Sequence, residues 1–464
     1  KRQEKPGRTD KHEDYGGASR DFKHILRKDY LRNYSSPPPR YGSRIYSVLS
    51  FGAAGDGASD DSKALVSAWK AACKVSKATI EIPTGYNFLI KPVTLQGPCM
   101  PHLILQIDGT LLAPSSTSAW PKYNLLQWLN FKWLHDFTIQ GSGTLDGQGS
   151  QLRNTSQFHQ SPVIRFYKSY NITVRNIRIV NSPQCHLKFD SSRGIKVKSL
   201  TISSSQDSPN TDGIHLQNTR DVEIKNSNIG CGIAGHLNFM LVTIVYRYKP
   251  DAQTFTYTMS TATQAMESGK GTDKSPKPRN IYYEITSSLT WCNNYSLGGL
   301  GRSNSLACVS DVSVDNINVQ NALSGVRIKT WQGGVGSVRN VTFSNVKVSN
   351  VEIPIVIDQY YCNKKSCKNK TDAVAISDIT YKGISGTYSF QPMHLACSDS
   401  TPCSGLNLIN VKLSPENNSQ ALQKPFCWKS YGKAYGLFDP SSVGCLQRND
   451  RLSKTLTKSH NNTC

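Results

Sequence analysis

The sequence predicts an all-β chain wound as a right-handed parallel β-helix, with a short capping helix at its N-terminal end. Repetition is the first observation. Runs of β-branched residues recur as "NITVRNIRIVNSP" from 171, "GIKVKSLTISSS" from 194, "DVEIKNSNIG" from 221, "DVSVDNINVQNA" from 311, "VRNVTFSNVKVSN" from 338 and "ISDITYKGISG" from 376. Ile172, Ile195 and Val222 open successive units, a period that suits stacked coils. The second observation is the asparagine or serine at the turns, where amides can pair with one another along the stack. The third is a single stretch, Ser62 to Cys73, whose apolar residues follow a helical period. A leucine-rich repeat would need Leu at fixed offsets, and an immunoglobulin-like sandwich would repeat less.

Taken in order, residues 1–44 are rich in Lys and Arg, poor in apolar periodicity and end in "SSPPPR". They read as a disordered basic tail with a polyproline hinge, serving either as a solvated linker or as an arm for a polyanion. The β-helix domain is expected over 45–450. Ile45, Tyr46, Val48 and Leu49 alternate as a strand, a Gly/Asp turn follows, and the helix starts with Asp60 or Asp61 near its N-cap. Beyond residue 75 come short strands with polar turns. Residues 231–295 share neither the repeat nor its turn chemistry and read as an inserted or replaced segment. Residues 451–464 read as a C-terminal tail.

The chain has 464 residues, 37% hydrophobic and 19% charged, enough to bury one large core. A net charge of +22 predicts a polyanionic partner, and on charge alone nucleic acid, an acidic polysaccharide and an anionic membrane fit equally. Thirteen cysteines without a zinc quartet predict disulfides, with Cys362/Cys367 and Cys397/Cys403 as local pairs and one cysteine left over. Sequons at Asn33, Asn154, Asn171, Asn340, Asn369 and Asn461 agree with export. The expectation is a secreted, mature, extracellular protein with no membrane span, because no apolar run approaches ~18 residues.

A parallel β-helix offers a long groove matched to a linear polymer. With the charge and export, that favours an acidic polysaccharide, a pectin-like polyuronate. Two stretches carry the chemistry. In "SPNTDGIH" Asp212 sits in a polar turn before an alternating strand. In "GVRIKTWQGG" Arg327 and Lys329 leave the same face of a strand, where unpaired cations are costly to bury and a carboxylate ligand would pair with them.

These stretches, with "FGAAGDGASDDSKAL", "GTLDGQG", "NSPQCHLKF", "SLGGLG" and "IPIVIDQYYC", resemble plant polygalacturonases, members of glycoside hydrolase family 28. The resemblance spans roughly residues 45 to 230 and 296 to 450. It implies a pectin-lyase-like solenoid that hydrolyses α-1,4 bonds between galacturonates with inversion, without cofactor or metal. It assigns Asp212 as catalytic and Arg327, Lys329, Tyr361 and Asn210 as substrate-binding. Homogalacturonan in the cell wall would be the partner of a monomer that binds neither nucleic acid nor membrane.

The family pattern also has an adjacent aspartate pair in Gly-Asp-Asp and a histidine in Gly-His-Gly. Here the first slot reads "CGIAGHLN" and the second Cys292-Asn293-Asn294. The adjacent acids Asp60-Asp61 suit capping; Asp207, Asp251 and Asp273 have no spacing that brings them to the groove. His236 only echoes the lost motif, and His186 and His215 could face groove or core. Two readings stay open: a pectin hydrolase, and a non-catalytic pectin-binding protein. A calcium-dependent lyase would need a cluster of acids that the sequence does not supply.

Overall fold

The computed structural model of the chain describes residues 44–120, 127–152, 163–183, 185–204, 212–231, 244–247, 254–257, 293–301, 305–361, 370–416, 421–439, 443–447 and 464. The basic tail, most of 231–295 and residues 451–463 lie outside them.

The described chain winds into coils whose strands pair in parallel with the coil before and the coil after. The face that matters for function is built by β1 (Val93–Gln96), β2 (Leu129–Lys132), β3 (Ile164–Tyr167), β4 (Leu187–Asp190) and β5 (Ile214–Gln217). It continues through β6 (Asn293–Leu300) and the ends of β7 (Leu306–Trp331) and β8 (Val335–Tyr361), then β9 (Met393–Ala396) and β10 (Phe426–Trp428). Each advances the stack by about 4.8 Å. Parallel strands joined by crossovers take the right-handed turn because each strand has a right-handed twist.

Inward residues alternate with outward ones and fill the bore. Phe131, Phe166 and Phe189 stack coil on coil, with ring centroids 5.0 and 5.2 Å apart. Such a column holds the register, since a slip of one residue would turn every inward side chain to solvent. At the corners the backbone enters the left-handed region at Asn176, Asn226, Asn316, Asn345 and Asn410. Asparagine tolerates that conformation better than bulkier residues, which explains its recurrence there. The expected amide pairing is present: Asn316 Nδ2 donates to Asn226 Oδ1 at 2.8 Å, and Asn350 to Asn321 at 3.1 Å.

Helix α1 (Ser62–Ala72) covers the first coil, burying Leu65, Ala68, Trp69 and Ala72. Trp69 packs edge-on against Phe137 at 5.5 Å, and the Cys73–Cys99 disulfide ties the helix end to the coil beneath. The preceding segment differs from expectation. Only Ile45–Ser47 is a strand; Val48–Phe51 forms a 3-10 turn closed by Gly52 at φ 88, and Asp56–Asp60 is extended. The alternation of 45–49 was real, but a glycine able to take positive φ stops the strand early. The expected Cys397–Cys403 disulfide forms, and Cys308–Cys464 and Cys427–Cys445 join it. Cys362 and Cys367 lie outside the described residues. Among those described, Cys185 is the free thiol, and burial pushes its pKa up.

Candidate active site

The outward positions of this face form two rows across the coils. One runs Asn130, Arg165, Lys188 and His215 on one side of the centre, and Arg327, Val356, His394 and Phe426 on the other. In the other, Lys132, Tyr167, Asp190 and Gln217 lie on one side of the centre, with Lys329, Asp358, Ala396 and Trp428 on the other.

Asp212 lies in the turn entering β5, 7% exposed. Its carbonyl is held twice by His186, from the backbone N–H at 2.9 Å and by ring Nδ1 at 3.0 Å. Nε2 on the far side of the ring lies 2.8 Å from the Ser204 hydroxyl and 3.2 Å from the Ser203 carbonyl. His186 is fully buried, and that burial drives its pKa down to about 4, so it holds the turn as a neutral ring.

The Asp212 carboxylate is differently placed. Oδ2 stands 3.8 Å from Lys329 Nζ and 3.8 Å from His215 Nδ1, charge contacts longer than hydrogen bonds. Oδ1 is buried without a hydrogen-bond partner among the described residues. A buried carboxylate oxygen that the protein leaves unpaired is costly, and such exceptions mark places where a ligand or water completes the set.

Lys329 is 7% exposed; burial lowers its pKa, and the neighbouring Asp212 opposes that shift. Arg327 Nη2 is 3.6 Å from Asp358 Oδ2. The Tyr361 ring gathers both cations, with Arg327 at 5.8 Å and Lys329 at 5.2 Å from its centroid, and Trp331 packs edge-on against it at 5.4 Å. The structure thus brings Asp212, Arg327, Lys329 and Tyr361 to one stretch of the groove. Asn210, Asp207, Asp251, Asp273 and His236 lie outside the described residues.

Asp60 and Asp61 are far from the groove in role. Asp61 accepts from the Ala54 and Gly55 amides at 2.6 and 3.1 Å, and Asp60 accepts from the first helical amide, Ser62, at 3.1 Å while pairing with Lys91 at 3.0 Å. Sequence reasoning left His215 undecided and passed over Asp358, Lys188 and Arg165. The signal for each was alternation: Ile214 and Leu216 face inward, so His215 faces out, and Ile355 and Ile357 do the same for Asp358.

The family model of glycosyl hydrolases family 28 matches residues 73–233 and 293–426. The chain belongs to glycosyl hydrolases family 28. The interval between the matched blocks falls within the 231–295 stretch that lacks the repeat. Among relatives of this family 28 glycosidase, a probable polygalacturonase of Arabidopsis thaliana is 34% identical over 88% of this chain and 86% of that protein. A polygalacturonase of Chamaecyparis obtusa is 34% identical over 83% of this chain and 71% of that protein. Solved structures share the fold. The polygalacturonase from Erwinia carotovora ssp. carotovora has a TM-score of 0.54 at 21% identity, covering 86% of this chain and 98% of that one. The endo-xylogalacturonan hydrolase from Aspergillus tubingensis has a TM-score of 0.57 at 16% identity, covering 85% and 99%.

Proposed function

We propose that this family 28 glycosidase is a secreted, monomeric cell-wall protein that engages the α-1,4-galacturonan of pectin and hydrolyses it with inversion at Asp212. One observation carries the reading: two cations, Arg327 and Lys329, converge on Tyr361 beside a buried carboxylate, one oxygen of which has no hydrogen-bond partner among the described residues. A uronate carboxylate would add a ligand to cations that already face Asp358 and Asp212, and Arg suits it in bidentate fashion. The relatives named as polygalacturonases support the same substrate, and the disulfides and sequons support export.

Inversion needs one carboxylate to activate water and one carboxylic acid to protonate the leaving oxygen, about 6.5–9.5 Å apart. Asp212 suits the first role: Oδ1 can accept a hydrogen from water, while Lys329 holds Oδ2. The second carboxyl group is the open part of the mechanism. In the two outward rows the other carboxylates are Asp190 and Asp358, and each faces an arginine, Arg165 and Arg327. That observation favours a second reading, a pectin-binding protein without turnover.

The test measures polygalacturonate binding and the release of reducing ends together. Turnover that Asp212→Asn abolishes supports hydrolysis. Binding that weakens with salt, and by about tenfold or more in Arg327→Ala, with no reducing ends released, supports the second reading. Failure to bind polygalacturonate sinks both.

A further inference from the structure

Among the described residues, the two ends of the groove differ in charge. On the N-terminal side of Asp212, outward positions of β2 to β4 carry Lys132, Arg165 and Lys188 against one carboxylate, Asp190. On the C-terminal side, β9 and β10 present His394 and Phe426 in one row and Ala396 and Trp428 in the other. The His394 and Phe426 rings stack at 4.8 Å. Burial lowers the His394 pKa, and the nearby Asp358 opposes that shift. The nearby carboxylates are Asp358, which faces Arg327, and the exposed Asp399, which accepts from the Tyr360 hydroxyl and the Trp428 indole N–H, both at 3.1 Å. Among the described residues here, Lys429 lies 5.7 Å from the Trp428 ring, and Arg327 stands beside Asp358.

A free uronate at the C-terminal end would give up water for aromatic faces beside Asp358 and Asp399, which is unfavourable twice over. Esterification removes the charge. The methyl group and the C–H face of the sugar then pack on the rings, gaining apolar burial instead. We infer that the His394, Phe426 and Trp428 end of the groove is a subsite for a methyl-esterified galacturonosyl residue, while the Arg165 and Lys188 end takes free carboxylates. This rests on the galacturonan reading above, and it makes partly esterified galacturonan, rather than fully de-esterified polymer, the preferred ligand.

The experiment is calorimetric binding of the full chain to galacturonate oligomers of one length: the free acid, and the same oligomer methyl-esterified at one end or at the other. One end-esterified oligomer should bind at least as tightly as the free acid, and the other about fivefold more weakly. His394→Lys should reverse the ester preference. Asp399→Asn, an exposed change that removes the charge and keeps an oxygen for one of the two donors, should tighten the free acid about twofold. If esterification at either end weakens binding alike, or Asp399→Asn changes nothing, the inference falls, and Arg327→Ala weakening the free acid keeps the galacturonan reading. If the free acid does not bind, that reading falls and takes the inference with it.

Discussion

Asp61, at the capped end, and Asp212, in the central coils, are carboxylates of similar burial, 3% and 7% exposed. Asp61 has both oxygens engaged by backbone amides, from Ala54 and Gly55. Asp212 has one oxygen at 3.8 Å from a lysine and a histidine, and the other without a hydrogen-bond partner among the described residues. The difference separates two uses of the same side chain. A carboxylate saturated by the backbone closes a turn and gains stability from folding. One left under-satisfied costs stability and keeps its valence for something that arrives later.

The largest effect that can break this comparison is catalytic. Any cleavage by the chain should fall by about 10²–10⁴-fold in Asp212→Asn, whereas Asp61→Asn should leave the kinetics of the folded fraction unchanged; parallel assays of both variants decide it. Stability should run the other way. Asp61→Asn replaces acceptors by an amide that cannot serve both N–H groups, costing about 2–4 kcal/mol. Asp212→Asn should stay within about 1 kcal/mol, because losing the Lys329 contact offsets relief of the unpaired oxygen. Urea unfolding of both variants gives the numbers, and equal losses would sink the distinction.

Glu352 sharpens the point away from the groove. Burial alone pushes its carboxyl up to about 7 from 4.5. The native state therefore holds a proton that the unfolded state releases, so this contribution is present below about 4.5 and lost as pH rises through about 7. Glu352→Gln should gain up to about 3 kcal/mol on the wild type between those limits, seen as a growing gap between unfolding curves. His186 has the opposite sign. Its folded pKa is depressed to about 4 from 6.5, so its contribution is present above about 6.5 and lost as pH falls toward 4. His186→Gln should flatten that acid-side slope, removing up to about 3 kcal/mol of pH dependence, read from unfolding at several pH values.

Much of the fold was legible because its code is local. β-branched alternation names strands, turn asparagines name corners, and the period of Leu65, Ala68, Trp69 and Ala72 names the helix. Arg327 and Lys329 were legible for a related reason: each sits where an alternating strand puts it outside, while Asp212 stood out in the polar turn before one. Val48–Phe51 misled, since whether alternation continues depended on what Gly52 could do. His215, Asp358, Lys188 and Arg165 were harder. Each has meaning only beside a residue on another coil, and nothing in a strand states which outward position of a distant strand will lie next to it.

The sequence by itself determined the coil, the inward and outward sets, the disulfide Cys397–Cys403 and the types of side chain that line the groove. Tertiary structure decided neighbours. Stacking put Lys329 against Asp212, gave Asp212's turn to a buried His186, set Asp358 opposite Arg327, and collected charge at one end of the groove and aromatic rings at the other. The physical reason is that hydrophobic pattern is a property of single strands, whereas electrostatic pairing is a property of register between strands, fixed only when the bore packs.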